Sequence, residues 1–288
     1  MPELPELEAL AEGLTAALAG RAIEDLRVHH PAVLRTAEPA PGALAGGVVA
    51  SVWRRGKVLC VATEAGGPVL VMHLMQGGRL VLVDGSTGRR PPRGALLDLA
   101  VAGAGILRLR EYGTRRRASA HILHAGALAA HPPLARLGPE PVGLDPAGWR
   151  EALAPPPRAA LHTALRDGRR VAGIGRAYAA DIMWAARLPP FAPAAGLDDE
   201  ALGRLARAAD MVLGQALERA RERITTGLPP REERLTMVHG HFGDPCLRCA
   251  GDLARVSFAE YELVYCPACQ TGGKRYRDRR LSRLGAED

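Results

Sequence analysis

The chain has no unbroken apolar stretch approaching the roughly 18 residues that a membrane helix needs, and its opening decapeptide, MPELPELEAL, is acidic where a secretory leader would be basic. No membrane association and a cytoplasmic location are therefore expected. Wholesale disorder is excluded as well, because 47% hydrophobic and 24% charged residues are the proportions of a folded protein. Cysteine is scarce outside one stretch. Cys60 stands alone in an apolar run and reads as a small buried hydrophobe. The other four, Cys246, Cys249, Cys266 and Cys269, crowd together as C-x2-C-x16-C-x2-C, a spacing that in an intracellular protein reads as zinc before disulfides.

What is present points to two modest domains in 288 residues, with 33 glycines and 23 prolines marking many turns. The net charge of +7 is a modest argument for a polyanionic partner, since cationic surfaces gain affinity by releasing counterions from nucleic acid. Leu4, Leu7, Leu10, Leu14 and Leu18 recur at the period of one helix face, and Gly20 closes that helix. From Ala22 to about Leu123 short apolar runs follow one another between Gly and Pro: Val48 to Trp53, Val58 to Thr63, Val69 to Leu74, Leu80 to Val83, Leu96 to Val101 and Ile106 to Leu109. Such runs predict a sandwich or barrel of strands. Leu123 to Pro146 reads as a linker. Helices are predicted over Trp149 to Arg166, about Ile174 to Arg187, and Asp199 to Arg223, followed by an extended connection over 224–241. Thr271 to Asp288 holds KRYRDRR and little that could pack, so a basic tail is expected.

The hexapeptide MPELPE carries the most chemistry. Loss of the initiator Met would expose a secondary amine at Pro2 beside a helix start, whose dipole disfavours the ammonium form. A neutral secondary amine can attack a carbon such as C1′ of a deoxyribose and carry the sugar as an iminium ion. Glu3 and Glu6 stand beside it as proton carriers. Alone, the same residues are equally good helix capping.

Together with the cysteine spacing and several motifs between, MPELPE resembles the formamidopyrimidine-DNA glycosylase / endonuclease VIII family of base-excision repair enzymes, from Pro2 to Gln270. The resemblance implies an α+β protein: an N-terminal helix plus β-sandwich domain over 1–125, a linker over 126–146, a helical helix-two-turn-helix domain over 147–240, a four-cysteine zinc finger over 241–270, and the tail over 271–288. It implies Pro2 as nucleophile, Glu3 as general acid/base, Glu6 as the second glutamate of the motif, and Lys57, within RRGK, as the lysine that contacts DNA. HLMQGGRL at 73–80 and GTRRRAS at 113–119 stand for the family's HLGMSGSL and DPRRFG, and bring in His73, Met75, Gln76, Arg115, Arg116 and Arg117 as DNA contacts. LGPEP at 137–141 matches the hinge, and GIGRAYAADIMW, from residue 173, matches the helix-two-turn-helix motif, with Gly175 and Arg176 at a phosphate-binding helix start and Asp181 in place of a glutamate. One structural Zn²⁺ per chain is implied, held by the four cysteines with no open position for water. The implied partner is double-stranded DNA carrying damaged bases or abasic sites, bound by a monomer located with the nucleoid.

The sequence departs from the family at several positions. The phosphate-binding arginine of the finger is replaced by Tyr261, with Arg255 a candidate substitute. The phenylalanine wedge of DPRRFG aligns with Arg117, and Gln76 stands where the void-filling methionine belongs, so Met75, Gln76, Arg116 and Arg117 become the gap-filling candidates. Only 19 residues separate Thr226 from Cys246, a short segment that favours an endonuclease VIII-like or divergent specificity over 8-oxoguanine excision. The rival readings are a damage-binding protein that has lost excision and a zinc-ribbon module whose partner is protein.

Overall fold

A computed structural model describes residues 1–85, 91–112, 116–154, 158–231, 234–259 and 261–276. The leucine ladder forms helix α1 (Leu4–Leu18), with Leu7, Leu10, Leu14 and Leu18 at most 1% exposed. The chain leaves it through Gly20 at φ +77°. Gly13 admits a close neighbour, since a β-carbon there would lie 1.7 Å from the Thr225 carbonyl oxygen.

Eight strands follow: β1 (Ile23–Val28), β2 (Val49–Arg55), β3 (Val58–Thr63), β4 (Val69–His73), β5 (Gly78–Val83), β6 (Ala95–Val101), β7 (Gly105–Glu111) and β8 (Ser119–Leu123). They make two antiparallel four-stranded sheets, ordered β1-β6-β7-β5 and β2-β3-β4-β8. One face of each contributes to a single core with α1: Ile23 and Leu26, Val52, Leu59 and Val61, Leu70 and Met72, Leu97 and Leu99, Leu107 and Leu109. Each such side chain contributes about 1.5–3 kcal/mol by leaving water. β1 and β8 have no apolar run to announce them. β1 is an edge strand whose Glu24, Asp25 and Arg27 face outward, and β8 is short and carries His121 between its buried Ala120 and Ile122.

The stretch expected as a bare linker has structure of its own, including a short helix α2 (Pro132–Ala135). Ala125, Leu128 and Leu134 cover the outer face of the second sheet over Val58, Cys60, Val69 and Val71. Burial there pushes the Cys60 thiol up to about 12, the behaviour of a buried hydrophobe.

Further helices are α3 (Pro146–Leu153), α4 (Leu161–Ala164), α5 (Arg176–Ala185) and α6 (Asp199–Arg223). The single helix expected over Trp149 to Arg166 is therefore two, α3 and α4, with three consecutive prolines in the sequence between them; proline has no N–H to extend a helix. A short hairpin, β9 (Ala254–Ser257) and β10 (Glu262–Tyr265), and helix α7 (Pro267–Thr271) complete the elements. Two compact units result, Met1–Leu137 with Ala216–Glu233, and Gly138–Gln215 with Arg234–Asp288. The end of α6 and the residues after it, expected from the sequence to belong to the helical domain, thus fold with the sandwich. Ala220, Ile224 and Leu228 enter its core, Arg221 forks onto Glu12 at 2.8 and 2.6 Å, and Leu228 N–H donates to Leu80.

The head of the tail also packs, against expectation: Tyr276 N–H donates to the Tyr265 hydroxyl at 2.7 Å and its ring meets Phe191 at 4.4 Å. The rest, 277–288, lies outside the described residues. Among the described residues no helix is long and apolar enough to cross a membrane.

His162, on α4, is buried against Phe191 and Phe258. Burial, helped by the charge of Arg166, pushes its pKa down to about 4. Below about pH 6.5 the unfolded chain takes up a proton at this residue that the folded chain refuses until about pH 4, so stability falls across that window as pH falls. A His162→Phe variant is expected to flatten the decline of the urea midpoint between about pH 7 and about pH 4.5; an unchanged slope would contradict this.

Candidate active site and nucleic-acid interface

The pairings of the second sheet decide what meets at its end. Arg55 pairs with Val58, Val58 with His73, and His73 with Ser119. The turn carrying Gly56 and Lys57, the close of β4 and the entry to β8 therefore lie side by side. α1 runs along β2 in the opposite sense, since Thr15 Oγ1 bonds the Val52 backbone at 2.8 Å while Glu8 pairs with Arg54 at 2.5 Å. Its N-terminus thus points to the same end, and Pro2 is six residues beyond Glu8, roughly 9 Å at helical rise.

Glu3 and Glu6, 3% and 7% exposed, form a capping box: Glu6 Oε2 accepts the Glu3 N–H at 2.8 Å and the Glu3 carboxylate accepts the Glu6 N–H. The capping reading holds, and the box fixes how residue 2 departs from the helix. In the full chain the Pro2 nitrogen is an amide to Met1, so only removal of Met1 turns this buried residue into an amine.

His73 Nδ1 accepts the Met75 N–H at 3.2 Å. Burial and the Lys57 charge hold its pKa below the usual imidazole range, so the ring is neutral and its other nitrogen carries the proton. Met75 is half-buried at φ +54°, a left-handed conformation, and Gln76 is exposed. Gly77 packs so closely on Tyr112 that a β-carbon would lie 2.5 Å from its carbonyl oxygen. Arg79, 7% exposed, braces this turn by donating to Gln76 O at 3.1 Å and to Pro229 O at 2.8 Å. Arg116 and Arg117 are exposed, and the Arg117 N–H is held at 2.9 Å by each oxygen of the buried Glu111 carboxylate. Arg115 lies outside the described residues.

Sequence reasoning misses Glu111, Arg79 and Tyr112. Arg79 is a lone charge in an apolar strand and Glu111 ends a strand that alternates with Arg108 and Arg110, so no pattern reveals that they hold the two loops. Tyr112, 39% exposed beside the arginine run, is visible in the sequence as the aromatic nearest the missing wedge.

In the second unit the turn through Gly173, at φ +85°, leads to α5, which begins at Arg176 after Gly175. Asp181, buried, accepts backbone N–H bonds from Met237, Val238 and His239 at 2.8–3.3 Å and so fastens the connection entering the cysteine module. Tyr261 closes the β9–β10 turn and stacks on Phe258 at 4.4 Å. The guanidinium carbons of Arg166 and Arg176 lie 4.2 and 4.8 Å from its centroid. Arg255 pairs with Glu262 at 3.3 Å and stacks on Phe242.

The thiols of Cys246, Cys249, Cys266 and Cys269 lie within 4.8 Å of one another, with Cys246 and Cys269 3.9 Å apart and Cys249 and Cys266 3.5 Å apart. Tetrahedral zinc with bonds near 2.3 Å sets its sulfurs about 3.8 Å apart, so the four fit it. Burial opposes a thiolate at Cys246, but the N–H groups of Arg248, Trp184 and Cys249 outweigh it and bring its pKa to about 6. The Trp184 indole N–H donates to that sulfur at 3.3 Å.

Known proteins share this architecture. Residues 1–119 match the formamidopyrimidine-DNA glycosylase N-terminal domain, 137–227 its H2TH domain, and 243–272 the zinc finger found in FPG and IleRS. The formamidopyrimidine-DNA glycosylase of Laribacter hongkongensis is 35% identical over 279 residues, covering 94% of this chain and all of the relative. That of Moorella thermoacetica is 36% identical over 266 residues, covering 89% of this chain and 94% of the relative. Among solved structures, MutM (Fpg) of Thermus thermophilus superposes with a TM-score of 0.78 at 31% identity, over 93% of this chain and 98% of that one. Lactococcus lactis Fpg, bound to DNA containing N7-benzyl-Fapy-dG, shares the fold with a TM-score of 0.81 at 23% identity, over 94% of this chain and all of that one. With its N-terminal, H2TH and zinc-finger parts all matched in the family's order, this chain belongs to the formamidopyrimidine-DNA glycosylase family of DNA repair enzymes.

Proposed function

We propose that this glycosylase is bifunctional, excising a damaged base from duplex DNA and then cleaving the strand through a covalent intermediate on Pro2. The observation that carries the reading is the convergence at one sheet end of the start of α1, Lys57, neutral His73 and the arginine loop. The reacting sugar carbon is inaccessible in stacked DNA, so the nucleotide must first be turned out of the helix. Met75, Gln76, Arg116, Arg117 and the exposed Tyr112 are the residues available to fill its place. The Pro2 nitrogen bonds to C1′ as the glycosidic C–N bond breaks, and the base departs with a proton. Ring opening gives an iminium ion. Loss of a C2′ proton then expels the 3′ phosphate, a second elimination expels the 5′ phosphate, and hydrolysis frees the proline, leaving a one-nucleotide gap. Glu3 moves the protons, and Lys57 with the His73 N–H binds the flanking phosphates.

The four thiolates would hold one structural zinc ion, which when bound ties the β9–β10 hairpin to the Cys246–Cys249 turn. The relatives' names put a ring-opened purine first among lesions, ahead of the endonuclease VIII-like specificity suggested by the short 227–245 connection. Borohydride trapping tests the mechanism: the purified protein, its intact mass short of one methionine, should form a reduced covalent adduct on abasic-site DNA. Tight binding with no adduct would leave a DNA-binding protein without lyase activity, and a panel of single-lesion duplexes then ranks the bases removed.

A further inference from the structure

We propose that Arg166, aimed by Tyr261, is a phosphate-binding residue, and that with Arg176 it grips one phosphodiester of the DNA backbone; this rests on the DNA-processing reading above. Arg166 follows α4 and is half-buried. Its Nε donates to the His162 carbonyl at 2.8 Å and its Nη2 to the Tyr261 hydroxyl at 2.8 Å, while the guanidinium plane covers the Tyr261 ring. Phe258, stacked on Tyr261 with planes 10° apart, keeps that ring from turning. The side chain is therefore held at its stem, its tip and its face, an ordering that costs a flexible arginine entropy and that a solvated surface charge has no use for.

The charge balance around it is incomplete. Among the described residues no carboxylate pairs with Arg166, and its neighbour Asp167 is engaged by Arg169 at 3.2 Å and Arg170 at 3.8 Å. Arg176 brings a second guanidinium to the same neutral ring. His162 beneath is uncharged at neutral pH. Two guanidinium groups gathered on one ring can share a single anion, whose charge attracts both. Arg166 keeps three of its five N–H donors beyond the two bonds described, enough for a forked grip on phosphate oxygens. The start of α5, at Arg176, adds the positive end of a ten-residue helix. Arg255, by contrast, already has Glu262 as counter-ion and Phe242 as platform. Arg166, not Arg255, thus supplies the cation that Tyr261 lacks.

Equilibrium binding of the full-length, zinc-loaded protein to a duplex with a stable abasic-site analogue, measured over a series of salt concentrations, tests this. Arg166→Gln should bind about tenfold more weakly and lower the magnitude of the log–log salt slope by about 1. Arg166→Lys should keep the slope and recover part of the affinity. Tyr261→Phe keeps the ring and the charge but loses the hydroxyl, so it should weaken binding about threefold with the slope intact, and add nothing in the Arg166→Gln background. A folded, zinc-replete Arg166→Gln protein with wild-type affinity and slope would overturn the proposal; if that variant does not fold, a Tyr261→Phe protein identical to wild type does so instead. Failure of the underlying reading looks different, because the wild-type protein itself would then show neither salt-dependent binding nor a borohydride adduct.

Discussion

A protein purified with an uncleaved extension ahead of Met1 is expected to give no borohydride adduct on abasic-site DNA, a loss on the order of 10³-fold or more in strand cleavage. In that form the nitrogen of residue 2 is an amide, whose lone pair is delocalised into a carbonyl and cannot attack C1′. Pro2→Gly is a subtler test. It exposes a primary amine that can still form an imine, but that imine must gain and keep a proton, whereas the proline adduct is an iminium cation with no N–H to lose. Trapping should therefore be slower and more dependent on acid, not absent. The capping box makes the comparison interpretable: Glu3 and Glu6 bond each other's backbone, so α1 keeps its start when residue 2 is altered. Both forms should retain affinity for the abasic analogue, since Lys57, His73 and the arginine loop remain. An extended protein that traps as well as the processed one would move the nucleophile elsewhere, with Lys57 the first alternative.

Lys57 illustrates why parts of this site are legible in the sequence alone. It is one of only two lysines, the other being Lys274, in a chain that otherwise carries its positive charge as arginine. A lysine in such a background, on a turn after RRG, stands out as a candidate for the chemistry proposed above, and the cysteine spacing is equally plain because metal geometry dictates it. The β runs are legible where both faces of a strand are apolar, as in VLCVAT of β3. They are illegible in β1, where the outward face is charged. The long helix α6 has the bounds its pattern predicts, yet periodicity cannot show that Ala220 in its last turns, and Ile224 just after them, belong to the sandwich core. Least visible are residues that act through others: Glu111 on the Arg117 backbone, Arg79 on the Gln76 turn, and Arg166 on Tyr261. Each contact joins positions brought together only by folding, and on the proposal above the departure at Tyr261 is offset by Arg166, just after α4, where the sequence suggests Arg255.

Removal of metal is expected to unfold the cysteine module while the sandwich persists. Its hairpin has two four-residue strands, a length that is marginal in isolation, and its apolar support includes Ala254, Val256 and Tyr265, padded by Phe191, Phe258 and Tyr276. Zinc-finger peptides of comparable size draw about 10–16 kcal/mol from the metal, so a chelator at neutral pH should shift this balance completely. Cys246, Cys249, Cys266 and Cys269 should then react with a thiol reagent while Cys60, fully buried in the first unit, stays silent until global unfolding. Trp184 provides a second signal, because its indole bonds Cys246 and its face carries Arg248 at 4.2 Å; its emission should move to longer wavelength as the sulfur is released. DNA affinity should fall roughly tenfold, the scale of losing about one phosphate contact, because Tyr261 would no longer hold Arg166. The first unit should melt at an unchanged temperature, since its core draws on α1, the two sheets and the end of α6 but on no residue of the finger. If four thiols stay protected after chelation, or if the whole chain unfolds in one step with them, the metal does not have the local structural task assigned to it.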